Sequence, residues 1–332
     1  MNKMQGNPAT QALPRESLAG ALERAARRLE GAGIPRARFE AGLLLARATG
    51  ATRARLLADR ARDLAAEEAA ALEALVARRV AREPMAHILG GREFWSLDFG
   101  VTRDVLIPRP ESETLIEAAL AHARDRNAPL VVLDLGTGSG CLLLALLSEL
   151  PRATGLGVDK SEVGCGIARD NGRRLGLGAR AQFRVADWSD PNFGDEIRAA
   201  ASHMRSDAAM TPASAGRFDL ILANPPYVPD AAIDGLEPEV RDFEPHAALA
   251  GGPDGLVSYR TLAPCIAALL APAGAACVEI GAGQARAVEA IFQAAGLVPQ
   301  GARRDLAGIE RCLAFAPARG AVSGRSGTIS GD

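Results

Sequence analysis

The 332 residues are 48% hydrophobic and 23% charged, enough apolar content for a sizeable core and for two domains. Met1 to Glu16 is polar and lacks the apolar stretch of a secretory leader, and the longest apolar run, Cys141 to Leu147, falls far short of a membrane span, so the chain reads as cytoplasmic. Five cysteines (141, 165, 265, 277, 312) without a Cys-x-x-Cys pair argue against a disulfide framework or a zinc site, and four scattered histidines form no ligand cluster. A formal charge of −2 hides an asymmetry, because residues 1–90 hold 15 Lys+Arg against 10 Asp+Glu while the remainder holds 23 against 30. The basic front either steers towards an acidic protein or RNA surface or is a set of solvated helix faces.

In chain order, residues 1–15 read as a disordered N-terminus. From Ser17 to Leu29 apolar residues recur at helical spacing up to Gly31 and Gly33. Pro35 opens a second helix to about Ala48, and Thr52–Asp59 and Ala65–Arg82 supply two more, so residues 16–85 form a small helical bundle. Residues 86–110 read as a linker built on a β-hairpin: Leu97, Phe99 and Val101 alternate with polar or small residues, a turn follows near Arg103-Asp104, and a short strand runs to Ile107.

The next segment, Leu130 to Asp134, has the continuous apolar character of a strand buried on both faces and runs into Leu135-Gly136-Thr137-Gly138-Ser139-Gly140 and an apolar helix from Cys141 to Leu150. A dinucleotide site calls for Gly-x-Gly-x-x-Gly, but here the sixth position is Cys141. Asp134 at the strand end disfavours a phosphate, so the loop suits a cationic ligand such as S-adenosylmethionine better than NAD. A second strand, Thr154–Val158, ends in Asp159, placed to accept from two ribose hydroxyls. A third, Ala181–Ala186, ends in Asp187-Trp188, an acceptor for an adenine amino group beside a flat aromatic face. Each acid alone reads as well as a helix cap, and the tryptophan as core.

A fourth strand, Phe218 to Ala223, leads into Asn224-Pro225-Pro226-Tyr227. Taken alone, the tetrapeptide is ordinary turn punctuation. Following three acidic strand ends, it suits chemistry on a planar, conjugated nitrogen: the Asn oxygen and a backbone carbonyl can hold both hydrogens of an NH2 group, and two prolines donate no N–H and fix φ. After it come a helix near Leu256–Leu270, a strand Ala275–Ile280, a helix near Gln284–Ala295, and strands near Leu297–Ala302 and Arg311–Ala316. That order makes a seven-stranded, mostly parallel sheet whose ligand crevice lies at the strand C-termini. Residues 198–216 look like a disordered low-complexity insertion and 318–332 like a disordered Gly/Ser-rich tail.

These motifs resemble those of class I S-adenosylmethionine-dependent methyltransferases. More narrowly, they resemble the protein-glutamine N5-methyltransferases that modify peptide chain release factors, the PrmC/HemK family. Ile88-Leu89-Gly90, Glu93-Phe94-Trp95, Leu106-Ile107-Pro108-Arg109-Pro110-Glu111-Ser112-Glu113, Phe243-Glu244-Pro245, Gly251-Gly252-Pro253-Asp254-Gly255-Leu256, Glu279-Ile280-Gly281 and Asp305-Leu306-Ala307-Gly308 carry the narrower match, from about residue 16 to 316. The resemblance implies a Rossmann-like methyltransferase domain over 111–317 and a substrate-recognition role for the helical bundle. It assigns Asp134, Gly136, Thr137, Gly138, Ser139, Gly140, Asp159, Asp187, Trp188 and Asn224 to the cofactor, and Asn224, Pro225 and Tyr227 to catalysis. Substrate contacts fall to these last three together with Pro226, Leu106, Arg109 and Glu111, with no metal. It further implies a release factor as protein substrate and a hairpin bordering the active site; the oligomeric state is open with a monomer as the default, and the acidic catalytic part argues against direct nucleic-acid binding. The nearest alternative is an N6-adenine methyltransferase, since adenine presents the same NH2 group, but the catalytic part is acidic and carries no basic platform. An NAD-dependent oxidoreductase lacks its third glycine, and a binding module without turnover sits poorly with an intact Asn224 and Tyr227.

Overall fold

A computed structural model describes residues 16–204 and 215–318. Residues 1–15, 205–214 and 319–332, expected to be disordered, lie outside that range. Two compact units meet in sequence at Leu89/Gly90.

The first unit is all helical, with α1 Leu18–Gly31, α2 Ala37–Thr49, α3 Arg53–Ala58, α4 Ala66–Val80 and α5 Met85–Leu89. Ser17 caps α1 by accepting from Gly20 N at 3.2 Å, and Leu18, Ala21, Ala25 and Leu29 form its buried face. Leu44, Leu45, Leu72 and Val76 complete the core. Arg79 on α4, itself buried, reaches the partly buried Glu40 on α2 at 2.7 Å. The fifth helix, beginning just past Pro84, was not predicted.

The second unit opens on a hairpin, β1 Gly91–Phe94 paired antiparallel with β2 Leu97–Gly100. The expected turn near Arg103-Asp104 is therefore not the hairpin turn, and no strand runs to Ile107. The turn is Trp95-Ser96, both in the left-handed region at φ 52° and 58°, a conformation normally signalled by Asn-Gly. Tertiary bonds hold it: Trp95 N donates to Glu113 and Trp95 Nε1 to Glu149, each at 2.9 Å. Beyond the hairpin, Leu106–Pro108 belongs to no strand, and Ile107 N donates to the Glu244 carboxylate at 3.1 Å.

The rest alternates helix and strand: α6 Glu113–His122, β3 Val131–Leu135, α7 Cys141–Glu149, β4 Thr154–Asp159, α8 Glu162–Arg174, β5 Ala181–Val185, α9 Phe193–Met204, β6 Phe218–Ala223, the short α10 Pro238–Arg241 and α11 His246–Leu249, then α12 Val257–Leu269, β7 Leu270–Glu279, α13 Ala285–Ala294, β8 Leu297–Arg304 and β9 Glu310–Pro317. The seven-stranded sheet has the order β5-β4-β3-β6-β7-β9-β8. Neighbours from β5 to β7 are parallel, and β9 runs antiparallel to both β7 and β8. Val131, Leu133 and Leu135 face one core layer with α9, α12 and α13, while Val132 faces the other with α6 and α7. Burial on both faces explains the unbroken apolar run of β3.

One boundary is corrected. Residues 198–204 of the supposed insertion belong to α9, whose Phe193, Ile197, Ala200 and Ala201 are buried. The spacing of those four is helical; a composition rich in Ala, Ser and Met masked it.

Candidate active site

Because β4 and β5 lie to one side of β3 and β6 to the other, the chain reverses direction across the sheet at β3 and β6, and a crevice opens at their carboxyl ends. The glycine loop fills it. Gly136 and Thr137 both donate to the Val158 carbonyl at 2.9 Å, and Gly140 to the Thr137 carbonyl at 2.7 Å. At Gly136 φ is +77°, and a Cβ would stand 3.3 Å from two carbons of the Trp188 indole. Gly140, at φ +80°, is the N-cap of α7 and leaves no room for a Cβ, which would meet that of Ala168 at 3.0 Å. The cleft is lined by Leu106, Pro108, Arg109 and Ser112 on one side, by Gly136–Ser139 beneath, and by Asp159, Asp187, Trp188, Asn224 and Pro226.

The three acids occupy different environments. Asp134 does not reach the cleft: it is fully buried under the loop, accepts from Thr137 Oγ1 at 2.7 Å, and leaves Oδ1 without a hydrogen bond among the described residues. Burial pushes its pKa up to about 7, against the pull of Thr137. Its assignment to the cofactor is corrected: the carboxyl holds Thr137 and lies outside the cleft lining. Asp159 lines the cleft, Oδ2 accepting from Gly138 N and Oδ1 from Ser161 N, both at 2.9 Å, so each oxygen keeps a second lone pair. Asp187 is exposed, and bonds from the Ser189 backbone and hydroxyl hold its carboxyl below the usual carboxylate range.

Asn224 follows the last residue of β6. Its Nδ2 donates to Ser112 Oγ at 3.2 Å, and Oδ1 takes no hydrogen bond among the described residues. The Pro225 carbonyl likewise accepts none there. These two acceptors, consecutive in the chain, thus take no internal donor among the described residues. Pro225 and Tyr227 do not line the cleft; Pro226 does. The Tyr227 hydroxyl turns to Glu279 at 3.3 Å, and its ring lies so close to Gly281 that a Cβ there would come within 3.1 Å. Tyr227 is thus placed against Glu279 and outside the cleft lining.

Arg109 lines the cleft, but its charge is spoken for: it pairs with Glu244, whose side chain is almost fully buried and whose other oxygen holds Ile107 N. Burial raises the Glu244 pKa, with Arg109 opposing. Glu111 is half-buried and outside the lining. The hairpin itself does not border the cleft; the segment after it does.

Several residues at the site carried no role in the sequence reading. Gly251 and Gly255 press on the tetrapeptide, since a Cβ on the first would lie 2.8 Å from Tyr227 Cα and one on the second 2.4 Å from the Tyr227 carbonyl. Gln284 donates to that same carbonyl at 3.1 Å. Ser112 and Glu279, both buried, stand behind Asn224 and Tyr227. Among the described residues no cluster of His, Cys, Asp and Glu suits a metal ion, and no helix is long and apolar enough to cross a membrane.

Against this geometry the comparisons are decisive. Residues 20–90 match the model of the PrmC N-terminal domain and residues 132–205 that of a methyltransferase domain. A release factor glutamine methyltransferase of Rhodospirillum rubrum is 46% identical over 88% of this chain and 82% of its own length. The chain belongs to the release factor glutamine methyltransferase family. A second member, from Caulobacter vibrioides, is 42% identical over 86% of this chain and 91% of its own. The solved protein-(glutamine-N5) methyltransferase (release factor-specific) of Alicyclobacillus acidocaldarius covers 65% of this chain and 98% of its own at 23% identity and a TM-score of 0.38. The family assignment rests on the sequence relatives, and the Rossmann-like architecture on the sheet order above.

Proposed function

We propose that this protein methylates the side-chain amide nitrogen, N5, of the glutamine in the Gly-Gly-Gln motif of peptide chain release factors, in the cytoplasm, using S-adenosylmethionine. The observation that carries the reading is the Asn224 carboxamide, which lines the cleft: its NH2 end is committed to Ser112, so its oxygen is left as an acceptor, and the following Pro225 carbonyl, also without an internal donor among the described residues, supplies the second acceptor that an amide NH2 needs. The named family of the relatives supports the choice of a protein glutamine over an adenine.

The residues present fit the methyl donor. At Gly136 the loop backbone approaches so near to Trp188 that a Cβ would stand 3.3 Å from the indole, Asp159 keeps lone pairs for ribose hydroxyls, and ionised Asp187 is an acceptor for the adenine amino group. When bound, S-adenosylmethionine supplies an electrophilic methyl group. The protein's part is position. An amide nitrogen is a poor nucleophile because its lone pair is delocalised, so fixing both hydrogens on Asn224 Oδ1 and the Pro225 carbonyl aims the lone pair, and Pro226 packs on the amide plane. Arg109 and Glu244 anchor the wall formed by Leu106 and Pro108. Once methylated, the nitrogen is acidic enough to lose its proton to a carbonyl or water, so the residues need supply no strong base.

The test is incubation with labelled S-adenosylmethionine and a bacterial release factor, its Gln→Ala variant at Gly-Gly-Gln, or unmethylated DNA, with the methyl group mapped by mass spectrometry. A mark on that glutamine alone is expected; a mark on adenine would replace the substrate. Asn224→Ala is expected to lower kcat by about a hundredfold or more while donor affinity changes by only a few fold. Near-normal turnover in that variant would sink the role given to Asn224.

A further inference from the structure

Behind Asn224 lies a buried polar chain. Ser112, 2% exposed, accepts from Asn224 Nδ2 at 3.2 Å. Glu279, 1% exposed at the end of β7, receives the Tyr227 hydroxyl on Oε1 at 3.3 Å, and its buried Oε2 has no hydrogen-bond partner among the described residues. The Ser112 hydroxyl stands beside that carboxyl, close enough to draw its pKa down. A buried carboxylate oxygen without a donor is costly, so the Ser112 proton has a strong reason to point at Glu279.

That preference has a consequence for Asn224. A hydroxyl carries one proton and two lone pairs. With its proton committed to Glu279, Ser112 can only accept from Asn224, and the carboxamide must turn NH2 to Ser112 and Oδ1 away from it. With the proton released, Ser112 can donate to Oδ1 instead, and a flipped carboxamide would offer donors where the substrate NH2 needs acceptors. Oxygen and NH2 are nearly the same size, so packing does not select between the two orientations; hydrogen bonding does. We infer that Glu279 is a positioning residue that, through Ser112, locks the Asn224 carboxamide in its accepting orientation. The inference deepens the proposed methyl transfer and rests on it for its effect on rate, but the lock itself is a property of the protein alone.

The test compares the full-length wild type with Glu279→Gln, Ser112→Ala and the double variant. Gln keeps the size of Glu and adds a donor towards Ser112, which frees the hydroxyl proton. Each single change is expected to lower kcat on a release factor by about tenfold or more, with the dissociation constant for S-adenosylmethionine within about twofold, and the double variant should be no worse than the weaker single. Independently of turnover, the Asn224 side-chain amide protons, assigned by nitrogen-15 NMR, should exchange slowly in the wild type and faster in both single variants. The pH profile adds a readout that a purely structural role would not move: an acid limb in wild-type kcat that is absent from Glu279→Gln. Glu279 faces Ser112, Tyr227, Arg311 and Glu111, with the Cys141 and Cys312 thiols nearby and the Tyr259 hydroxyl on its own carbonyl, and none of the other groups is altered by that substitution. Unchanged Asn224 exchange in both variants overturns the inference, whatever happens to kcat, and so does an additive double variant. If the wild type methylates no release factor, the proposed reaction fails, and the exchange measurement still decides the lock.

Discussion

Backbone approach at the glycine loop sets how closely a ligand can lie against Trp188, and the geometry at Gly136 makes that measurable. Any side chain there meets two indole carbons at 3.3 Å and must adopt φ +77°, in the left-handed region that costs a non-glycine residue about 1–2 kcal/mol. Gly136→Ala should therefore weaken S-adenosylmethionine binding by about tenfold or more in calorimetry while kcat at saturating donor falls less; equal affinity would mean that the loop lies away from the donor. The residues around it that were legible in the sequence share one local signal, an acid or an amide just past a buried apolar strand. Glu279 carries the same signal at the end of β7 and was passed over, because three strands already accounted for one ligand. Ser112 and Glu244 gave no such signal. Their partners lie 112 and 135 positions away in the chain, and only the folded register brings them together.

Elements were read well where periodicity was long and poorly where special conformations or composition intervened. The β3–α7 crossover and the two terminal strands were legible because apolar runs and turn residues agreed, whereas the antiparallel pairing of β9 with β7 and β8 came only from the fold. The hairpin was misplaced by several residues because Trp95 and Ser96 supply the turn without Asn or Gly, on the strength of bonds to Glu113 and Glu149 that local sequence does not encode. Helix α9 was hidden by its small residues. Its reality can be tested at Ala201, which is 0% exposed on the face that packs beneath the sheet with Phe193 and Ile197. Ala201→Asp would bury an unpaired charge and is expected to cost more than about 2 kcal/mol in urea unfolding. A disordered segment would tolerate the same substitution with no measurable change, so a shift within about 0.5 kcal/mol would restore the reading as an insertion.

On the scale of the whole molecule, two strands of one sheet, β3 and β7, carry buried acids at their carboxyl ends, and both Asp134 and Glu279 are pushed up to about 7 by burial. In the unfolded chain they titrate near 3.8 and 4.5, so between those values and about 7 these two groups together hold up to two more protons in the folded protein than in the unfolded one, and Glu244, also raised by burial, acts in the same direction. For an acid with a raised folded pKa this contribution to stability is complete below the unfolded pKa and is lost as pH rises through the folded one. Stability should accordingly fall from about pH 5 to pH 8, with each group contributing a slope of up to about 1.4 kcal/mol per pH unit. Partly buried His122 works against this trend: burial, with Arg303 nearby, lowers its pKa, so below its unfolded value of 6.5 the unfolded chain binds more protons and stability rises with pH. Comparing variants separates the two, because Asp134→Asn and Glu279→Gln remove one acid each and leave His122 unchanged. Urea unfolding at intervals from pH 5 to 8 should show a flatter decline in each variant than in the wild type. Parallel curves would mean that the two carboxyls titrate in the folded protein as they do in the unfolded chain, and the argument that burial at the strand ends holds protons near neutral pH would fail with them.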